Sequence, residues 1–219
     1  TPKDREKREK IIEKLQLQIF TFLTEGDLQG AKKVYGGFLN SNSLDQFFEK
    51  ILNPVMEKIG EMWSNGILSV ATEHVASNVA HSLVKVILEE RKHKGTNGKI
   101  IITTPVGEEH SLGCSVVESY LANRGFTTFN LSPSTPAESV LNFMKSVSAD
   151  GVIISITLSD SIPAGQRLTK KIREFNKKIP VFVGGQAFTD GSKAKFDATI
   201  IDSNQSLVQL PKILKKSKK

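Results

Sequence analysis

Lys99-Ile100-Ile101-Ile102-Thr103-Thr104, followed closely by Glu108-Glu109-His110-Ser111-Leu112-Gly113, is the stretch that decides the fold. An unbroken β-branched run predicts a strand buried on both faces. Gly113 then opens a helix expected over 113–124. Similar short runs recur at 127–131, 151–156, 180–184 and 198–201, and helical periodicities fill 136–148, 162–177 and 204–216 between and after them. Strands alternating with helices argue for a parallel sheet covered on both faces. Five strands favour the flavodoxin-like order 2-1-3-4-5, with a ligand at the carboxyl edge between strands 1 and 3.

Upstream the period changes. Ile11, Ile12, Leu15, Ile19, Phe20 and Leu23 recur at helical spacing up to Gly26. A second helix is expected from Asp27 to Asn40. A third opens at the N-cap candidate Ser43 and carries Pro54 as a possible kink, and a fourth runs from about Ser69 to Arg91. Short connections between four amphipathic helices imply an antiparallel bundle. Lys94-Gly95-Thr96-Asn97-Gly98 reads as the linker. The expected organisation is therefore a helical bundle over 1–94 and a flavodoxin-like domain over 98–219.

Composition sets the outer limits. The chain has 219 residues, 38% hydrophobic and 24% charged, with one cysteine and a net charge of +7. Nothing resembles a membrane span or an apolar signal segment, and lone Cys114 suits a reducing compartment, so a cytoplasmic protein is expected. Lys212, Lys215, Lys216, Lys218 and Lys219 read as a solubilising basic tail. No recognition helix or zinc finger is present to read bases.

The carboxyl-edge loops hold the chemistry. Glu108 stands two residues before His110, a spacing that lets a carboxylate hold one ring nitrogen while the other binds a metal. Strand 3 runs out through Ser155-Ile156-Thr157-Leu158-Ser159, rich in hydroxyls, and strand 4 through Gly184-Gly185. Ser132-Pro133-Ser134-Thr135-Pro136, after strand 2, reads as an ordinary capped entry to a helix. A receiver would need an aspartate where Ser155 stands, and a flavin phosphate loop would need more than Thr103-Thr104-Pro105. A zinc pair is disfavoured because His74 and His81 are seven residues apart.

Glu-x-His-x-x-Gly, Ser-x-Thr-Leu and Gly-Gly together resemble the cobalamin-binding domain of methionine synthase and methylmalonyl-coenzyme A mutase. The resemblance implies His110 as the lower cobalt ligand, held by Glu108. It also implies that the cofactor's nucleotide tail threads into the sheet past Gly113, Gly184 and Gly185, where Ser155 and Thr157 satisfy its polar atoms.

Trp63, with Glu73 and His74 ten and eleven residues later, further resembles the capping bundle of CarH-type photoreceptors of the MerR family. That likeness implies a bundle over the upper cobalt face, with Trp63 against an adenosyl group and Glu73 and His74 offering polar contacts. It implies a non-enzymatic adenosylcobalamin sensor that assembles as a dimer or tetramer and loses its adenosyl group in light. DNA would be met only through a domain not contained in this sequence. Ser64 stands where some such photoreceptors carry a histidine. A carrier of methylcobalamin between methyltransferases is the alternative, and so is an antirepressor that binds a separate transcription factor. Methylcobalamin or hydroxocobalamin would then replace the adenosyl form.

Overall fold

The computed structural model describes residues 2–91, 95–188, 194–201 and 209–214. It divides into two compact units, the first ending at Ile87 and the second beginning at Leu88.

The first unit is helical: α1 Pro2–Thr24, α2 Leu28–Leu39, α3 Leu44–Phe47, a π turn Phe48–Leu52, α4 Asn53–Ser64 and α5 Val70–Arg91. Side-chain caps mark the starts. Asp27 Oδ1 accepts from the Gly30 amide at 2.8 Å. Ser43 and Gln46 form a reciprocal capping box at 3.2 and 2.9 Å. Ser69 Oγ accepts from the Thr72 amide at 3.1 Å. The periodic apolar positions become the core, with Ile19, Leu23, Phe47, Ile51, Leu52, Ile59, Leu83 and Ile87 fully buried. Phe47 meets Tyr35 and Phe38 edge-on, at 5.2 and 5.9 Å between ring centres.

Pro54 acts differently from a simple kink. The Asn53 amide reaches back to the Phe48 carbonyl, which widens one turn into a π turn just before the proline. Pro54 has no N–H to offer the Lys50 carbonyl. Gln16 Nε2 of α1 donates to that carbonyl instead, at 2.7 Å. The helix expected from Ser43 onward is thus realised as α3, a π turn and α4.

The second unit is a five-stranded parallel sheet in the order β2-β1-β3-β4-β5. Its elements are β1 Lys99–Thr103, α6 Leu112–Ala122, β2 Thr127–Asn130, α7 Ala137–Val147, β3 Gly151–Ser155, α8 Ile162–Phe175, β4 Val181–Gly184 and β5 Thr199–Ile201. A last helical stretch, α9, covers 209–214. The rest of the helix expected over 204–216, and Lys215, Lys216, Lys218 and Lys219, lie outside the described residues.

Alternating strand residues build two cores, as a two-residue period requires. Ile101, Val152, Ile154, Val181 and Val183 pack under Val140 and Met144 of α7 and Leu168 and Ile172 of α8. Ile100, Ile102, Ile153 and Phe182 pack under Cys114, Tyr120 and Leu121 of α6 and Leu210 and Leu214 of α9. The helices on both faces leave the carboxyl edge of β1, β3 and β4 open to their loops.

Candidate functional site

The loop leaving β1 turns at Gly107, whose φ of +89° only glycine adopts readily. Glu108 closes the turn by donating its amide to the Pro105 carbonyl at 3.0 Å. Its carboxylate is fully buried, and both oxygens are engaged. Oε1 lies 2.6 Å from His110 Nδ1 and accepts the His110 amide at 3.1 Å. Oε2 accepts the amides of Thr157 and Leu158, both at 3.0 Å. Glu108 therefore ties the exit of β1 to the exit of β3.

Burial pushes the Glu108 carboxyl up, but hydrogen bonds from Leu158, His110 and Thr157 outweigh it and hold the group below its ordinary value. An ionised carboxylate can only accept, so His110 Nδ1 carries the proton of the pair, and Nε2 is the ring nitrogen left for other contacts. The His110 side chain is 51% exposed. Its Nε2 has no partner among the described residues. This is the arrangement of a ligating imidazole oriented from behind by a carboxylate.

The remaining residues of this half sort unevenly. Thr157 contributes its backbone amide to Glu108. Ser155 is nearly buried beneath Gly113; a Cβ placed on Gly113 would stand 3.1 Å from its Oγ. The Cys114 thiol shares hydrogen bonds with Ser132 and Ser155, and burial pushes it up to about 12, so it stays protonated.

The glycines at the end of β4 have a packing role. A Cβ on Gly184 would stand 2.9 Å from the Ile201 carbonyl oxygen, and one on Gly185 only 2.3 Å from that of Ile156. The chain itself occupies those spaces. Close packing of β5 and of the exit of β3 by itself demands glycine at both positions. Gly185 also has a φ of +116°.

In the helical unit, Trp63 lies in the last turn of α4 and is 45% exposed, so it is no core anchor. Glu73 and His74 lie in the first turns of α5, with His74 Nε2 3.6 Å from Glu73 Oε2. Ser77 Oγ donates to Glu73 Oε1 at 2.6 Å. Ile67 and Val70, beside them in sequence, are also exposed. The Leu158 amide is a site group the residue pattern could not reveal, since every non-proline residue has an amide and only folding aims it.

Among the described residues no group of three or more His, Cys, Asp or Glu side chains could hold a bare metal ion. One oriented imidazole suits a metal that arrives already held in a macrocycle. The comparisons agree: a model described as the B12 binding domain matches residues 98–210, and a second of the same description matches 15–88. The chain belongs to the B12 binding domain family. It carries a cobalamin-binding domain, and the residues at its carboxyl edge fit that group.

The relatives of this B12-binding chain are distant. Dimethylamine corrinoid protein 1 of Methanosarcina acetivorans is 22% identical over 91% of this chain and 94% of its own length. The HTH-type transcriptional repressor CarH of Myxococcus xanthus is 26% identical over 64% of this chain and 47% of its own. The structure of the Methanosarcina barkeri monomethylamine corrinoid protein superposes with a TM-score of 0.73 at 16% identity, over 93% of this chain and 98% of that one. That likeness shows a shared fold.

Proposed function

We propose that this chain is a corrinoid carrier, a non-catalytic subunit that presents methylcobalamin to separate methyltransferase partners. The observation that carries the reading is the buried, fully bonded Glu108, which holds His110 by Nδ1 and leaves Nε2 as the nitrogen that would hold a cofactor's cobalt. Cobalamin, when bound, supplies a cobalt centre that can accept and release a methyl group. The chain's own part is to bind and orient: His110 would hold the cobalt, Glu108 fixes the orientation of its ring, and the β1 and β3 exits keep that pair in place. The coverage of the dimethylamine corrinoid protein supports the carrier, because both units and almost nothing else are shared. A carrier of this kind is expected to act among soluble partners; no helix among the described residues is long and apolar enough to cross a membrane.

The exposed Trp63, with Glu73 and His74 ten and eleven residues later in sequence, favours a second reading. On it the chain would be an adenosylcobalamin sensor that assembles as a dimer or tetramer with the adenosyl group present and would come apart when light removes that group. A ligand shifts such an equilibrium only through its differential affinity for two states, and loss of the adenosyl contacts would supply the difference.

One experiment separates the two. The apo-protein is incubated in darkness with methylcobalamin and with adenosylcobalamin, and its size and absorption are followed before and after green light. The carrier reading expects tight retention of methylcobalamin and an unchanged size. Assembly specific to adenosylcobalamin that collapses on illumination would replace it with the sensor.

A further inference from the structure

The loop that carries Glu108 is held by two residues outside the motif. Thr104, fully buried at the exit of β1, donates its hydroxyl to the Glu108 carbonyl at 2.9 Å and accepts the Ser134 amide at 2.7 Å. The same Ser134 amide lies 3.1 Å from the Glu108 carbonyl, and Ser134 Oγ accepts the Gly107 amide at 2.9 Å. Ser134 makes these bonds from a left-handed backbone, φ 49°, a conformation that a residue other than glycine adopts at a cost. Val106 and Gly107 are exposed, so core packing does not set the shape of this turn. Polar bonds set it. They run in one line, from the β2–α7 connection through Ser134 and Thr104 to Glu108 and on to His110.

We infer that Thr104 and Ser134 are positioning residues for the cobalt ligand, fixing where the Glu108 carboxylate and through it the His110 ring stand. The inference rests on the reading of His110 as that ligand. The four bonds of the Glu108 carboxylate need its backbone in one place; a displaced turn would satisfy either the β3 amides or the imidazole, not both. Thr104 is the pivot because its single hydroxyl serves as donor to one loop and acceptor for the other.

The test uses the full chain carrying isotopically labelled histidine nitrogen, loaded with hydroxocobalamin and reduced to cobalt(II). Paramagnetic resonance then reads whether the axial nitrogen splitting responds to the label, and gel filtration reads cofactor retention. Thr104→Val should reduce the label-sensitive fraction and weaken retention about tenfold, and Thr104→Ser should restore both. Ser134→Gly keeps the amide and the left-handed backbone but deletes the hydroxyl, and should give a smaller loss of the same kind. It decides the matter alone if circular dichroism shows Thr104→Val unfolded. Wild-type splitting and retention in both Thr104→Val and Ser134→Gly would overturn the positioning role while leaving the ligand reading intact. A label-sensitive splitting that survives His110→Ala would overturn both.

Discussion

Glu108 concentrates the physics of the site in one side chain. Removed from water, it is kept charged by three amides and an imidazole. Its carboxyl is held below the ordinary value of 4.5, so the unfolded chain binds its proton more readily. The stability it contributes is complete above about pH 4.5 and is lost as pH falls through the depressed value. Acid titration of the apo-protein's melting temperature should show this loss, and Glu108→Gln should remove that part of it. The glutamine should also be less stable at neutral pH, because its amide N–H would face other N–H donors, at about 1–3 kcal/mol for each one left unpaired. A melting curve identical to wild type would mean that the buried carboxylate contributes nothing. The pairing of Glu108 with His110 was legible from their spacing. The amides that complete it come from the exit of β3, nearly fifty residues onward, and no local pattern announces them.

Elements show how one residue type takes opposite roles. Gly185, at the exit of β4, combines a φ of +116° with a Cβ position 2.3 Å from the Ile156 carbonyl oxygen. Gly36, inside α2, has open space where a Cβ would go. Gly185→Ala should therefore destabilise by more than the roughly 1–3 kcal/mol of a strained backbone alone. Gly36→Ala should stabilise by about 0.5–1 kcal/mol, the gain from restricting the unfolded chain in a helix. Paired thermal melts check both signs, and equal effects would contradict the packing described. Helix starts at Asp27, Ser43 and Ser69 were readable because capping is local chemistry. The π turn before Pro54 was not, since it depends on Gln16 of another helix reaching the Lys50 carbonyl.

For the molecule as a whole, models described as B12 binding domains match both units, and Trp63 belongs to the first. Trp63 is the only tryptophan, so intrinsic indole fluorescence reports on it alone. If Trp63 meets the bound cofactor, adding cobalamin should quench that emission strongly, and Trp63→Phe should leave little signal to quench. Unchanged emission with the cofactor fully bound would remove Trp63 from the cofactor site.

The chain's periodicities determined the order of its elements, the parallel sheet and the place of the imidazole, because burial and hydrogen bonding act over a few neighbouring residues. Tertiary structure alone decided which groups complete the site and which glycines are demanded by packing. Those depend on distances between segments far apart in sequence, where one fully bonded carboxylate and one missing Cβ are set by the whole sheet.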